Sequence, residues 1–265
     1  MPLTVLVTGA SSGIGQAIAR LLAERGFNVF GTARKPAASR SSNVTMVPLD
    51  VRSDDSVRSC VQQVLSQTGR IDVLVNNAGY NLMGAAEETS LDEAKAQLET
   101  NFWGAVRMVN AVLPAMRKAG TGKIITIGSL AGITAIPFGA FYTASKFAIE
   151  GYSEALWHEL RPLGISVSVI EPGFVHTAIG DTTQIAGSPL TAYDPVRNRA
   201  TSALNRHVNK GIAPEAVART VLRAVESRTP SLRYRVGADA VWLPRVKNVA
   251  PWRVFAAGVR RTFDV

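Results

Sequence analysis

A phenol and an ammonium lie four residues apart in the stretch YTASK, at Tyr142 and Lys146. Side chains at this spacing share one face of an α-helix, so the two groups can act together. A phenol has a pKa near 10 and is a weak base at neutral pH. A cation about 4 Å away, at an effective dielectric constant of about 20, would lower that pKa by roughly three units. The spacing therefore suits an acid–base pair, but it also occurs by chance on helix surfaces.

A glycine-rich loop follows the first apolar run of the chain. Gly9, Gly13 and Gly15 lie in TGASSGIG, between the run TVLV and a helical pattern. Glycine allows a tight turn and a close approach of the backbone to a phosphate, and the following helix N-terminus offers free N–H groups. A tight turn that merely needs small residues is the alternative. The position at the first strand–helix junction favours dinucleotide binding.

Basic residues exceed acidic ones by nine, and the excess is concentrated towards the end of the chain. Residues 1–213 carry 19 basic and 16 acidic side chains, whereas residues 214–265 carry 10 and 4. The basic residues form no dense cluster interleaved with aromatic ones. We therefore expect a phosphate-bearing ligand and a solvated basic tail, and no nucleic acid.

The composition also bears on compartment and metal binding. The single cysteine, Cys60, excludes an internal disulfide framework and favours the reducing cytoplasm. The three histidines lack metal-ligand spacing, so no metal site is expected. No apolar run reaches the roughly 18–20 residues that cross a bilayer, and we expect no signal peptide.

Short β-branched runs alternate with helical stretches along the sequence. The alternation predicts an α/β fold: a doubly wound (Rossmann) parallel sheet of about seven strands, with helices on both faces, in a single domain over residues 1–265. Strands are predicted at 4–9, 28–34, 43–50, 71–79, 122–129, 165–173 and 232–238, and one long helix at 91–119.

Two segments interrupt this alternation. The segment 177–212 is rich in Thr, Gly, Pro and Asn and follows the end of a strand, where ligands bind in such sheets, so we expect it to be a substrate lid. The tail 239–265 combines basic and aromatic residues. It could pack on its own domain or on a second subunit, or it could attach to an anionic membrane.

Further motifs complete a pattern with a specific resemblance. NNAG lies at 76–79, Ser129 precedes Tyr142 by 13 residues, and PGFVHT lies at 172–177. With the glycine loop and YTASK, these motifs resemble the short-chain dehydrogenase/reductase family in its compact single-domain form. The resemblance covers roughly residues 3–238, and the motifs occur in the family's order.

The resemblance implies four catalytic residues: Ser129, Tyr142, Lys146 and Asn101. Tyr142 would exchange the oxygen-bound proton of the substrate while hydride passes to or from the nicotinamide. Ser129 would hydrogen-bond the same oxygen, and Lys146 would lower the pKa of Tyr142 and bind the nicotinamide ribose. Asn101 would hold a water that links Lys146 to solvent.

The resemblance also implies the residues that bind the cofactor. They are Gly9, Ser11, Ser12, Gly13, Ile14, Gly15, Arg34, Lys35, Asp50, Val51, Asn77, Ala78, Gly79, Tyr142, Lys146, Pro172, Gly173, Val175 and Thr177. NADP(H) is favoured over NAD(H), because Ala33 stands where NAD-preferring members carry Asp. Arg34 and Lys35 follow at once and suit a 2′-phosphate.

The sequence thus predicts an NADP-dependent carbonyl reductase or alcohol dehydrogenase. The stretches 80–88, 130–139 and 177–212 supply mostly apolar side chains, which favours an apolar ketone, aldehyde or secondary alcohol as substrate. An epimerase or dehydratase on the same site, or a non-catalytic dinucleotide sensor, are the alternatives. A homodimer or homotetramer is expected.

Overall fold

The computed structural model describes residues 2–36, 43–176 and 183–265. Within them, seven parallel strands form one sheet in the order β3-β2-β1-β4-β6-β7-β9. The strands of this sheet are β1 (Thr4–Val7), β2 (Asn28–Ala33), β3 (Val44–Pro48), β4 (Val73–Asn76), β6 (Gly122–Ile127), β7 (Ile165–Pro172) and β9 (Arg233–Val236). The predicted parallel sheet is confirmed.

Helices cover both faces of the sheet. They are α1 (Gly13–Glu24), α2 (Asp54–Thr68), α3 (Leu91–Leu98), α4 (Gly104–Ala119), α5 (Ala140–Leu160), α6 (Asp194–Asn209), α7 (Pro214–Glu226), α8 (Ala238–Val249) and α9 (Trp252–Phe263). Val5 and Val7 pack with α1 and α7 on one face, whereas Leu6 packs with α2, α4 and α5 on the other. Successive strand residues thus enter two separate cores, which is why the strands are continuously apolar.

Local signals set the ends of α2. The Ser53 side chain accepts a hydrogen bond from the Ser56 N–H, and Gly69 ends the helix with φ of +70°. Asp54 and Asp55 lie in the first turn, where negative charge stabilises the helix dipole. These ends agree with the polar start and the glycine stop in the sequence.

The long helix predicted over 91–119 is interrupted. Residues Glu99–Trp103 form a π-helical turn between α3 and α4. Such a turn inserts one extra residue into the helix and often marks a functional position. The spacing of apolar residues in the sequence does not predict this π-helical turn.

The predicted lid segment contains more regular structure than its composition indicated. Its residues 177–182 lie outside the described part of the chain. Beyond them, β8 (Thr183–Ile185) pairs with β5 (Asn81–Met83), and α6 buries Ala200, Ala203 and Leu204. Two of those three residues are alanines, so the buried face of α6 is too weakly apolar to stand out in the sequence.

The tail 239–265 forms the greater part of α8 and all of α9. α9 buries Phe255 and Phe263, and Phe263 joins a cluster that includes Met83 and Leu204. The tail therefore packs on its own chain, one of the arrangements expected from the sequence. No described helix is long and apolar enough to cross a membrane.

Candidate active site

The candidate site lies at the carboxyl ends of β1 and β4, where the strand order changes direction. Open α/β sheets bind ligands at this switch point, because the loops from the two strands diverge to opposite faces. Here the glycine loop follows β1 and NNAG follows β4, so the two predicted cofactor segments are neighbours.

The glycine loop has the geometry of a phosphate cradle. Gly9 and Gly13 have φ of +65° and +55°, a region that favours glycine. A Cβ on Gly15 would lie 2.2 Å from the Gly9 carbonyl oxygen, so no side chain fits there. Ser12 precedes α1 in extended conformation, and its side chain makes no capping hydrogen bond. The first amides of α1, including those of Ile14 and Gly15, are thus not capped by it and suit an anion.

A hydrogen-bond network joins this loop to the end of β4. The Thr8 hydroxyl accepts from the N–H groups of Asn77 and Ala78, each at 2.9 Å. The Asn77 side-chain amide donates to the Thr8 and Gly9 carbonyls at 2.9 and 3.0 Å. In this structure Asn77 therefore fixes the loop shape, and Thr8 is a supporting residue that the sequence reading missed.

Cations lie at the end of β2, where the sequence predicts discrimination between NADP and NAD. Arg34 and Lys35 are exposed there, and Ala33 is partly buried. Asp50, one of the expected cofactor residues, is held by Arg52: the guanidinium Nε donates to Oδ1 at 2.9 Å and Nη2 donates to Oδ2 at 2.6 Å. Hydrogen bonds from Arg52 hold the pKa of Asp50 at about 2, even though burial raises it.

Tyr142 and Ser129 meet at the start of α5. Tyr142 lies in the first turn of that helix, and Ser129 follows the end of β6 with extended backbone. Burial raises the pKa of Tyr142, and a side-chain hydrogen bond with Ser129 offsets this only in part. The Ser129 hydroxyl also accepts from the Ala131 N–H at 3.0 Å, which orients it.

Lys146 lies one helical turn beyond Tyr142, as the spacing predicts. Its Nζ is 5.8 Å from the centre of the Tyr142 ring and donates to the Ile127 carbonyl at 2.9 Å. Burial lowers the pKa of Lys146 to about 8, although Glu150 acts in the opposite direction.

The expected lowering of the pKa of Tyr142 by Lys146 is not observed. Both side chains are only partly exposed, desolvation shifts each towards its neutral form, and the ammonium is directed at a backbone carbonyl. In this structure desolvation outweighs the attraction between the two groups.

The π-helical turn places Asn101 inside the protein. Its amide donates to the Tyr80 carbonyl at 3.0 Å and to the Ser145 hydroxyl at 3.2 Å, and its oxygen accepts from the Tyr80 N–H at 3.0 Å. Ser145 lies on α5 between Tyr142 and Lys146. Asn101 is thus linked to α5 through Ser145, a contact that the sequence did not suggest.

Asn101 and Lys146 both line a small internal cavity of about 10 Å³. Thr8, Asn76 and Thr126 contribute further polar groups to its wall. A polar cavity of this size accommodates about one water molecule. The cavity has room for the water that Asn101 and Lys146 are expected to share, and that role stays a prediction.

Buried carboxylates lie behind Lys146. Glu150, one turn further along α5, accepts from the Arg233 Nε at 3.0 Å, and Arg235 Nε donates to Glu171 at 3.0 Å. Glu171 is fully buried. Burial and the nearby charge of Glu171 raise the pKa of Glu150 to about 7, despite the bond from Arg233.

An apolar cluster adjoins the start of α5. Met83, Leu204 and Phe263 form its buried centre, and the partly buried Ile136, Phe138, Phe174, Val208, Val259 and Val265 pack around them. Phe138 has φ of +59°, a strained value for a bulky residue that the surrounding packing must impose. Its carbonyl accepts from the Gly84 N–H at 2.8 Å. The cluster connects the loops before Tyr142 with helix α6 and the tail.

The segment after β7 supplies the remaining expected positions. Pro172 ends β7, and a Cβ on Gly173 would lie 2.0 Å from both carboxylate oxygens of Asp239. Val175 is buried and forms an isolated parallel bridge with Ile212. Thr177 lies outside the described residues.

The other predicted cofactor positions surround the same crevice. Gly79 follows Ala78 in the loop after β4, Val51 lines the small cavity, and Ser11 is exposed beside Ser12. His176 lines an open cleft of about 230 Å³ with Gly13 at the start of α1. Among the described residues, no group of three His, Cys, Asp or Glu side chains could hold a metal ion.

Two curated relatives match almost the whole chain. It is 42% identical to 3-ketodihydrosphingosine reductase of Bacteroides thetaiotaomicron, over 97% of this chain and 98% of that protein. It is 35% identical to bovine retinol dehydrogenase 8, over 94% of this chain and 86% of that protein.

Solved structures show the same fold. A short-chain dehydrogenase from Streptomyces avermitilis superposes with a TM-score of 0.84 at 32% identity, over 97% of this chain and 98% of that one. Actinorhodin polyketide ketoreductase with NADPH gives 0.77 at 30% identity, covering 90% and 97%. A short-chain dehydrogenase/reductase from Burkholderia phymatum with NAD gives 0.80 at 25% identity, covering 93% of each chain.

The similarity to these solved structures covers the whole fold as well as the sequence motifs. Neighbours that hold NADPH or NAD support a nicotinamide dinucleotide as the cofactor. The family model for short chain dehydrogenase matches residues 3–186, which include the glycine loop, Ser129, Tyr142 and Lys146. The chain belongs to the short-chain dehydrogenase family of oxidoreductases.

Proposed function

We propose that this protein is an NADP(H)-dependent reductase of apolar ketones, with Tyr142 as the general acid. The observation that carries the proposal is the grouping of Tyr142, Ser129 and Lys146 at the sheet edge that also holds the glycine loop. An NADP(H) bound there would supply or accept a hydride at the nicotinamide. The chain's own residues bind the substrate oxygen and move its proton.

Proton donation is the role best suited to Tyr142. Its raised pKa keeps the phenol protonated at neutral pH, so it is ready to donate to a developing alkoxide. Ser129 is positioned to donate a second hydrogen bond to the same oxygen and stabilise its charge. A protonated phenol is the form that acts as the acid in the reduction of a carbonyl.

Lys146 and Asn101 would resupply the proton. A pKa near 8 allows Lys146 to exchange protons close to neutral pH. The cavity that both residues line would hold the connecting water. We assign Asn101 to this relay because it lines that cavity. Hydrogen bonds with Tyr80 and Ser145 hold its side-chain oxygen and amide group in place.

NADP(H) is proposed over NAD(H) because of the end of β2. Ala33 offers no carboxylate to repel a 2′-phosphate, and the exposed Arg34 can grip phosphate oxygens with its planar fork. The amides at the start of α1 would receive the pyrophosphate, and the segments around Ala78 and Val175 would line the remainder of the cofactor.

Two substitutions test this preference. A hydrogen bond to a charged group is worth about 1.5–3 kcal/mol, so Arg34→Ala should raise the KM for NADPH roughly tenfold to a hundredfold and barely alter that for NADH. Ala33→Asp should reverse the preference. Equal wild-type efficiency with both cofactors, or equal damage to both by Arg34→Ala, would refute the assignment.

An apolar substrate is proposed from the cluster around Phe138. Its aliphatic and aromatic side chains provide no partner for the hydroxyls of a sugar. The relatives act, by their names, on 3-ketodihydrosphingosine and on retinol, both largely apolar molecules. We therefore propose a ketone that carries a long apolar chain, with the segment 183–209 closing over it as a lid.

A substrate panel with NADPH tests the activity. Long-chain 3-ketoamines, retinal, steroid ketones and a sugar ketone would be compared by the loss of NADPH absorbance. We expect turnover with long apolar ketones and none with the sugar. NADPH binding without turnover on any ketone would indicate a sensor, and substrate conversion without net NADPH oxidation would indicate an epimerase or dehydratase.

A further inference from the structure

The two tail helices present large apolar side chains to solvent. Trp242, Val246 and Val249 of α8 are 61%, 44% and 83% exposed, and Trp252 and Val254 of α9 are 70% and 63% exposed. The three residues of α8 follow a spacing of four and three, so they form one stripe along the helix. We call these five residues the tail patch. Soluble proteins seldom leave a stripe of large apolar side chains such as that on α8 uncovered.

Cations accompany the tail patch. Arg245 lies on the same face of α8, with its guanidinium 5.0 Å from the centre of the Trp242 ring. Arg253, Arg260 and Arg261 are exposed on α9, which extends the positive charge beyond the apolar stripe.

Each carboxylate in α8 or directly after α9 is bound by other groups of the chain. Asp239 accepts from the Phe174 and Ala240 N–H groups, at 2.8 and 2.9 Å. Asp264, directly after α9, forms an ion pair with Arg206. The free charged side chains that α8 and α9 themselves turn to solvent are therefore positive.

The opposite side of the same helices reaches the candidate site. Phe263 and Val259 of α9 pack into the apolar cluster that holds Phe138. Lys247 of α8 donates to the Ile133 carbonyl, in the loop between Ser129 and Tyr142. The tail is thus fixed to the protein by its inner face, while the large apolar side chains of its outer face are exposed.

We propose that the tail patch docks on an anionic phospholipid surface. Tryptophan is favoured at the boundary between headgroups and acyl chains, and arginine is attracted to anionic headgroups. A lipid surface fits better than a second copy of the chain, because two copies would bring the same positive charges together across a symmetric contact. The proposal rests on the surface and is independent of the substrate.

Vesicle binding tests the proposal directly. The full chain would be sedimented with vesicles of phosphatidylcholine alone and with added phosphatidylglycerol, at low and high salt. We expect binding only to the anionic vesicles and its loss at high salt. Each basic residue near such a surface contributes about 1 kcal/mol, or roughly fivefold in affinity, so Arg245→Gln/Arg253→Gln should weaken binding on the order of thirtyfold.

Insertion of the tryptophans is tested separately. Brominated lipid should quench the fluorescence of the wild type, and Trp242→Ser/Trp252→Ser should remove both the quenching and most of the binding. Leu91→Ser is the matched control, since Leu91 is 73% exposed on α3 and lies outside the tail. It should bind as the wild type does.

Three results would overturn the proposal. One is equal binding to neutral and anionic vesicles by the wild type and both tail variants. Another is no vesicle binding at all. The third is a shift of the tail variants from dimer to monomer in sedimentation without any effect on lipid, which would assign the patch to a second copy of the chain.

Discussion

Burial controls the protonation of the titratable groups around Tyr142. Tyr142 and Lys146 are each shifted towards the neutral form, and Glu150 behind them has a pKa raised to about 7. These shifts have different consequences. The pKa shifts of Tyr142 and Lys146 affect the proposed chemistry, whereas the pKa shift of Glu150 links the stability of the fold to pH.

Glu150 should make the protein less stable as pH rises through the weakly acidic range. Its folded-state pKa of about 7 exceeds the ordinary 4.5, so between these values the folded state holds a proton that the unfolded state has lost. The free energy of unfolding should therefore fall with rising pH over this range. One pKa unit corresponds to about 1.4 kcal/mol, so the full effect of the rise from 4.5 to about 7 is at most about 3.5 kcal/mol.

Denaturant unfolding of Glu150→Gln against pH measures this contribution. The substitution cannot ionise and should remove the fall between about pH 4.5 and 7. Glu154→Gln is the control, because Glu154 binds the same Arg233 but its pKa is lowered by that hydrogen bond. Identical pH profiles for the wild type and Glu150→Gln would contradict the assignment.

At the residue scale the sequence predicted positions better than environments. YTASK placed Tyr142 and Lys146 one turn apart, and Ser129 was expected within reach, as found. The raised pKa of Tyr142 was not expected, because a spacing carries no information on burial, and its lowering by Lys146 stays a prediction. The pairing of Asp50 with Arg52 was missed for a similar reason: both side chains face solvent, and nothing in the pattern selects that partner.

At the scale of elements, the glycine loop has the least tolerance for change. Gly15→Ala would drive a Cβ to 2.2 Å from the Gly9 oxygen and 2.4 Å from the Asn77 amide nitrogen. Such overpacking costs about 1–3 kcal/mol, and the displaced loop should lose most of its affinity for NADPH. Thermal melting and fluorescence titration with NADPH would measure the two effects.

Gly151→Ala is the matched control for that experiment. Gly151 lies within α5, and a Cβ there would meet nothing within 4 Å. Alanine in a compatible helical position stabilises by about 0.4–1 kcal/mol. NADPH binding by Gly15→Ala at the level of Gly151→Ala would show that the loop does not form the cofactor cradle.

Glu88 ties the proposed lid to the body of the protein. It is 1% exposed, forms an ion pair with Arg197 of α6 and accepts from the Leu190 N–H at 2.8 Å. Loss of one partner of a buried ion pair costs about 3–5 kcal/mol, so Glu88→Ala should raise the rate of proteolytic cleavage within 183–209 at least tenfold.

Limited proteolysis with mapped cleavage sites measures this change. Glu87→Ala is the control, because the hydrogen bond that Glu87 accepts from the Tyr193 hydroxyl at 2.9 Å is exposed. NADPH with a ketone should protect the wild type in the same segment. Cleavage of the wild type that ligands leave unchanged would argue against a lid.

Elements with a strong period or cap were predicted well, and elements defined by tertiary contacts were not. The ends of α2 were readable from Ser53 and Gly69. The π-helical turn at Glu99–Trp103 was not, since it depends on where Asn101 meets Tyr80 and Ser145. β5 and β8 have three residues each and pair across about a hundred positions, which no local pattern encodes.

At the scale of the whole molecule, the sheet follows from the alternation of apolar strands and amphipathic helices. Two cores form because each strand is apolar on both sides, and the switch point between β1 and β4 then opens beside the glycine loop. The excess positive charge of residues 214–265 could be counted from the sequence. Its meeting with exposed tryptophans on α8 and α9 required the structure.

The comparison of Tyr142→Phe with the wild type tests the central claim most directly. This change removes the transferable proton and leaves the ring, so NADPH should bind nearly as tightly as in the wild type. General acid catalysis contributes about 10²–10⁴-fold, so kcat for ketone reduction should fall by at least a hundredfold. A variant that binds NADPH and retains near-wild-type kcat on the ketone would contradict the assignment of Tyr142 and the mechanism proposed for this site.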